Sequence, residues 1–423
     1  MPATQASATV PKLEPLTANW QQKVAAFNGT DTLTEICYPS SISELQSAIT
    51  NAAQTKTPVM ATGNGTKLDW GGLPENPRQL ICTQNLDRLI EHARNDLTVT
   101  AEAGLKLGDL QAQLVEAGQF LPLNPSYAQK ATLGGVVATA DTGSWRHRYG
   151  GVRDLLLGIE FVRADGELAK AGGRVVKNVA GYDLMKLHTG AYGTLGVIAT
   201  LTFRTYPLPE ASETLVITGE IEFLMTLLKT LRNSSLTPTV VDFLSASALK
   251  RCELGKSSAG ILIRFQTIPE SIVQQRKQLA IWSKELSLTL STLEPEQAQQ
   301  FWLNYSVCTR EDSNILLKVG VLPSTIATVL TTWQTLTDNH GWSLFHGGSG
   351  IGYLGINTSQ ARSHWLLEMR EQCKQECGYL TPLRAPIPWK QQANDVDLLP
   401  TAKSAQLIKQ QFDPDNLFSP GRM

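Results

Sequence analysis

Glycine placement constrains this 423-residue chain more than any other feature: sixteen of its 33 glycines lie between Gly104 and Gly196, and only four between residues 201 and 340. Glycine carries no Cβ, so it admits positive φ and lets main-chain N–H groups come close to a bound group. The crowding therefore predicts a first part rich in tight, ligand-approaching loops. The glycine-poor remainder predicts a second part of regular helices and strands.

Composition narrows the function classes. With 37 basic and 38 acidic side chains the net charge is −1, which leaves no basic footprint and predicts no nucleic-acid partner. Charged residues make up only 18%, and apolar ones 42%, so the chain is expected to fold throughout. At about 150 residues per domain the length predicts two or three domains. Six cysteines are too sparse for a disulfide framework. Cys373 and Cys377 lie one helical turn apart, but no second pair follows, so they read as reduced thiols rather than metal ligands. The opening MPATQASATVPKLEPLTANW has neither a charged start nor an apolar run, and nothing approaches the roughly 20 apolar residues of a membrane span. A cytoplasmic protein is expected, peripheral to a membrane only through partner subunits.

Along the chain, residues 1–28 read as a polar arm. Residues 29–210 alternate short strands with the glycine-rich loops. Ser43 caps the helix SELQSAITNAAQ, Leu107–Ala117 is an amphipathic helix closed by Gly118, and Asp165-Gly166 turns a hairpin between LLLGIEFV and GELA. Residues 211–395 carry amphipathic helical runs (IEFLMTLLKTLRN, SIVQQRKQLAIWSKEL, TIATVLTTWQTL) alternating with strands such as ILIRF and ILLKVGV. That pattern predicts an α+β domain with helices on one face of a sheet. Residues 396–423 are expected to return to the first domain. No internal repeat is legible.

Three loops stand beside apolar strands: Thr62-Gly63-Asn64-Gly65-Thr66-Lys67, Thr132-Leu133-Gly134-Gly135, and Gly190-Ala191-Tyr192-Gly193-Thr194-Leu195-Gly196. The first lacks the spacing of a phosphate-binding Walker loop, and none is expected to open a helix in a Rossmann pattern. Three loops in one domain fit a long dinucleotide better than a mononucleotide. Their order and wording, PVMATGNGTKLDWGG, NPSYAQKATLGGVVATADTG and KNVAGYDLMKLHTGAYGTLGVIATLTF, resemble the FAD-binding domain of vanillyl-alcohol-oxidase-type flavoproteins. The run GGRVVKNVAGYDL and the tail FDPDNLFSPGRM are similar, more narrowly, to the E subunits of bacterial glycolate dehydrogenases (glycolate oxidases).

The resemblance implies an α+β chain: a two-lobed FAD-binding domain of the PCMH type, then an α+β, ferredoxin-like cap. It implies that Gly63, Asn64, Gly65 and Thr66 wrap the FAD pyrophosphate. Pro125, Thr132, Gly134, Gly135, Ala138 and Thr139 would line the flavin and ribityl region; Gly193, Thr194, Gly196, Val197 and Ile198 would hold the adenosine side. Some members attach flavin through a loop His or Cys. Gly63–Gly72 contains neither, and Leu123–Tyr149 only His147, so non-covalent FAD is expected.

Oxidation of a 2-hydroxy acid needs a cationic clamp, a base for the hydroxyl proton and a positioned cofactor. Related catalytic subunits carry a segment resembling H-x-D-G-N-x-H. Its counterpart here, His346-Gly347-Gly348-Ser349-Gly350-Ile351-Gly352-Tyr353, keeps the first His but lacks the Asp, the Asn and the second His. His346 is the candidate base, with packing beside a tight loop as the alternative. Gly350–Gly355 is a literal G-x-G-x-x-G, but a strand rather than a helix follows its first glycines, so it reads as a chance match. Arg384 is the candidate carboxylate clamp, with a solvent-facing side chain as its alternative. Trp145-Arg146-His147-Arg148 with Arg153 would draw an anionic substrate, dock a partner or form a hydrated surface turn; Lys177 and Asp183 would touch flavin, or cap and pair.

The leading expectation is an FAD-binding subunit of a glycolate dehydrogenase complex. It would work beside a homologous FAD-bearing catalytic subunit and an iron–sulfur subunit, with electrons passing to quinone. The alternatives are a self-sufficient FAD-dependent dehydrogenase of glycolate or D-lactate, and a flavin-free scaffold subunit.

Overall fold

The computed structural model describes residues 10–25, 32–173, 183–311, 313–357, 359, 361–362, 364–395 and 400–422. Lys177 and most of the GGRVVKNVAGYDL run lie outside them.

Among the described residues, two larger sheets and the short pair Gln119–Phe120 with Tyr206–Pro207 build the glycine-rich part. In the first, Glu14–Pro15, Glu35–Cys37, Gln79–Cys82 and Val59–Thr62 lie in that spatial order, the last three parallel. The helix Ile42–Gln54 is the crossover that parallel strands require, and it buries Leu45, Ile49 and Ala52. Ser41, not Ser43, caps it, its hydroxyl accepting from the N–H of Glu44. The tail adds to this sheet: Val59 N–H donates to Leu417 at 2.8 Å, and Ser419 N–H donates to Val59 at 2.8 Å. In the second sheet, Leu89–Ala93, Thr98–Glu102, Val197–Arg204, Leu156–Val162 and Leu168–Gly172 pair antiparallel in that order. The strand Val197–Arg204 is buried along almost its whole length, Thr200 and Thr202 included.

The polar arm expected at residues 1–28 is partly folded. Residues Ala18–Ala25 form a helix whose Trp20 and Val24 are buried against Leu33, Ile36, Met60 and Leu68. One apolar pair four residues apart is enough to dock a single turn face, and a mostly polar composition hides it.

The glycine-poor part is one eight-stranded antiparallel sheet. Ala211–Gly219, Val240–Ser245, Ala259–Thr267 and Thr289–Leu293 stand in spatial order fourth, first, third, second. Ile315–Gly320, Trp342–His346, Ile351–Ile356 and Tyr379–Arg384 stand in order second, third, first, fourth. The sheet is thus a structural repeat that the sequence does not display. The second strands of the two halves meet, and their register sets Asp242 opposite His346.

Helices Ile221–Arg232, Pro269–Glu285, Ile326–Leu336 and His364–Gln375 cover one face. The other face, with Val216, Leu244, Leu316, Trp342, Leu344 and Tyr353, packs on Trp70 and Tyr192 of the first part. The glycines of the G-x-G-x-x-G run serve this sheet. A Cβ on Gly352 would sit 2.4 Å from the Phe345 ring, and one on Gly355 would sit 2.2 Å from Trp342. They make room for aromatic side chains on the neighbouring strand.

His188 is buried 3.9 Å from the Phe161 ring, and burial pulls it down to about 4. Its folded pKa lies below the unfolded value, so the unfolded chain takes up the proton first as pH falls. Stability is therefore expected to drop between pH 6.5 and pH 4, by about 3 kcal/mol at the lower end. In urea titrations, His188→Gln should lose that part of the pH dependence; an unchanged pH profile would refute the assignment.

Candidate functional site

The three glycine loops converge on one groove, open to solvent, with a volume of about 680 Å³. It is lined by Gly63, Asn64, Gly65, Thr66, Thr132, Gly134, Gly135, Ala138, Thr139, Gly193, Gly196, Val197 and Ile198, all singled out from sequence. Ala61, Thr62, Lys67, Leu68, Thr83, Tyr192 and Arg422 complete the lining. Pro125 and Thr194 are buried but lie off it. Pro125 precedes Ser126, whose N–H binds Asp141 at 2.8 Å, and the Thr194 hydroxyl donates to the Ala191 carbonyl at 2.6 Å.

Local chemistry locks the loops together. The second loop does open a helix, Leu133–Thr139, because Thr132 caps it by accepting from the N–H of Gly135. The amide of Asn64 donates to the Lys130 carbonyl at 3.0 Å, tying the first loop to the second. The N–H of Tyr192 donates to Ala138 at 2.8 Å, tying the third loop to the same helix. A Cβ on Gly63 would lie 2.0 Å from the Thr132 hydroxyl, so only glycine allows this approach. Trp20 lies under Gly65, and Lys23 donates to the Asn64 carbonyl at 2.8 Å. Among the described residues, nothing accepts from the backbone N–H groups of Gly63, Asn64, Gly65 or Thr66. A run of free donors beside a groove of this size suits the diphosphate and flat ring of a dinucleotide.

Beyond the groove lies a charged seam. Lys67 binds one oxygen of Asp141 at 3.2 Å, and Arg310 of the second part binds the other at 3.1 Å. Burial alone would raise the Asp141 carboxyl, but Lys67 and Arg310 hold it below the usual carboxylate range. Arg310 also donates to the Asn124 carbonyl at 3.1 Å and lies 5.4 Å from the Tyr353 ring. Next to it, Lys318 stands in register with Tyr353; burial, then the like charge of Arg146, pulls its pKa down. Arg146 and His147 therefore turn toward the large sheet, while Arg148 stays exposed.

His346 is buried, and its Nδ1 lies 2.6 Å from Asp242. The other oxygen of Asp242 accepts from Ser144 at 2.5 Å and Tyr305 at 2.9 Å. A carboxylate so saturated fixes Nδ1 as the donor and leaves Nε2, buried and without a hydrogen-bond partner among the described residues, as the acceptor. Arg384 faces inward, contrary to a solvent-exposed reading. Its guanidinium donates to Asp69, to the Tyr127 hydroxyl at 2.7 Å, and to the carbonyls of Glu311 and Ser313 at 2.8 and 2.9 Å. It is a strap between segments, with little left to clamp a substrate. Asp183 begins a short helix and pairs with Lys186.

Residues 34–172 match the FAD binding domain family. This chain carries an FAD-binding domain.

The fold agrees. The chain superposes on 4-ethylphenol oxidase from Gulosibacter chungangensis with a TM-score of 0.78 at 15% identity, covering 97% of this chain and 93% of that one. It superposes on p-cresol methylhydroxylase with a TM-score of 0.74 at 14% identity, covering 95% and 92%. These likenesses show a PCMH-type fold: an FAD-binding domain followed by a second, mixed domain. In sequence, the chain is 26% identical over 418 residues to glycolate oxidase subunit GlcD of Bacillus subtilis, covering 91% of this chain and 87% of that one. It is 28% identical over 386 residues to glycolate oxidase subunit GlcE of Escherichia coli, covering 89% and 95%. A D-lactate dehydrogenase of Archaeoglobus fulgidus is 34% identical over 169 residues, 40% of this chain and 38% of that one.

Asp141→Asn would leave Lys67 and Arg310 buried without their counter-charge. The FAD-binding domain and the sheet above it should then separate more readily, at a cost of about 3–5 kcal/mol in chemical denaturation. A loss under about 1 kcal/mol would show that the seam is not held by this carboxylate.

Proposed function

We propose that this chain is an FAD-bearing subunit of a glycolate dehydrogenase, oxidising a 2-hydroxy acid to the 2-oxo acid: glycolate to glyoxylate. In this reading the FAD is held without a covalent bond. The amides of Gly63–Thr66 take the diphosphate, the helix Leu133–Thr139 backs the flavin side, and Gly193, Gly196, Val197 and Ile198 take the adenosine side. FAD, when bound, supplies the electron-accepting chemistry. The chain's own residues do the rest.

The observation that carries the reading is the buried Asp242–His346 pair, on the sheet face turned toward the FAD-binding domain. In this reading His346 Nε2 takes the hydroxyl proton, and Asp242 stabilises the imidazolium that results. Lys318 and Arg146 offer positive charge for the substrate carboxylate, the role that Arg384 is too fully bonded to fill. Electrons would leave through an iron–sulfur subunit toward quinone, beside a homologous FAD-bearing catalytic subunit. The names of the two glycolate oxidase relatives, both subunits, support an assembly of this kind.

A second reading is favoured by the intactness of the same pair: a self-sufficient dehydrogenase of glycolate or D-lactate. Oxygen-free addition of each acid to the FAD-loaded chain tests both. The flavin band near about 450 nm should bleach with glycolate. His346→Ala should slow bleaching by about 100-fold or more, whereas Lys318→Met should chiefly raise the half-saturating concentration. Fast multiple turnover with a dye acceptor and no partner would favour the self-sufficient enzyme. A bound flavin that neither acid bleaches would contradict substrate oxidation by this chain.

A further inference from the structure

The segment following Lys67 has no regular structure to satisfy its carbonyls, yet four in succession are bonded, and all to cations from distant parts of the chain. Arg422 donates to the carbonyls of Leu68, at 2.8 Å, and Trp70. Lys390, from the helix Ile387–Asp395, donates to the carbonyls of Asp69 and, at 2.8 Å, Gly71. The two cations thus alternate along Leu68–Gly71. Only Arg422 of the two stands on the lining of the groove.

The route of the tail explains how Arg422 gets there. Ser419 is bonded to Val59, and the Pro420 carbonyl accepts from the N–H of Glu75 at 2.8 Å. A Cβ on Gly72 would lie 3.0 Å from the Gly421 carbonyl, so the tail lies flush on the loop. The buried guanidinium then sits 5.8 Å from the ring of Tyr192, which belongs to the third glycine loop. Arg422 therefore touches the segment that continues the first loop, through its carbonyls, and the third loop through an aromatic face. A planar fork with five donors can do both at once; an ammonium cannot.

We infer that Arg422 is a positioning residue for the cofactor: it sets the first and third glycine loops at the spacing that holds FAD. The inference rests on the reading that the groove takes FAD. Arg422 acts on affinity, by preorganising the groove, and not on the proton transfer assigned to His346.

The test is a fluorescence titration of apoprotein with FAD, alongside hydrogen exchange of the apoprotein. Arg422→Met should raise the FAD dissociation constant at least tenfold, with faster exchange confined to residues 67–75 and 190–196. Arg422→Lys, which keeps charge but loses the fork, should recover part of the affinity. If Arg422→Met does not fold, Arg422→Lys decides the matter, since it should still bind several-fold more weakly than the unaltered chain. Variants that bind FAD as the unaltered chain does would overturn the inference alone. So would a loss of affinity that merely follows unfolding, with exchange accelerated across the whole chain. Failure of the unaltered chain to bind FAD would instead overturn the reading of the groove.

Discussion

Asp141 is the hinge of this structure in an energetic sense. A carboxylate removed from water costs several kcal/mol unless it is met by charge and by hydrogen bonds. Here it is met by Lys67 from the first glycine loop, by Arg310 from the domain above, and by the main-chain N–H of Ser126. One anion shared by a cation from each side cannot be left by either without stranding a buried charge. The interaction also fixes direction. It draws Lys67 to the inner wall of the groove, and it holds Arg310 against Tyr353, the neighbour in register of Lys318. Asp141 and Glu311 balance Lys67 and Arg310, and Lys318 and Arg146 leave the seam with a positive surplus. A positive seam at the inner end of a flavin groove is where an anionic substrate would be drawn.

The cofactor groove was largely legible in the sequence because its chemistry is carried by backbone. Glycines spaced for close approach, such as Gly63 against Thr132, are visible in one dimension. Pro125 and Thr194 fall off the lining because neighbours in a motif share a loop but not a direction; Thr194 instead bonds the Ala191 carbonyl within its own loop. Lys67 and Arg422 lie in stretches the sequence marks, but their contacts, like those of Trp20, carry no local signal. Their positions follow from contacts across much of the chain: Arg422 to Leu68 and Trp70, Trp20 beneath Gly65. A polar stretch containing one Trp–Val pair looks like an arm until its partner surface is known.

The upper sheet was hidden differently. Its two halves share a strand order, but their residues show no legible repeat, so the relation shows only in three dimensions. That hidden relation is what creates the Asp242–His346 pair. The residues are far apart in the chain and meet because the second strands of both halves lie side by side. The lost members of the His-rich segment correspondingly mean less than they do in sequence. His346 finds its orienting carboxylate on another strand, and Gly352 and Gly355 serve aromatic packing.

The central claim is that four separated segments form a single FAD site under a cap held by Asp141. Hydrogen exchange of the full chain, with and without FAD, tests it most directly. The account predicts that FAD protects residues 62–68, 132–139, 192–198 and 417–422 together, saturating at one FAD per chain. Protection of one glycine loop without the others, or of the tail not at all, would contradict it.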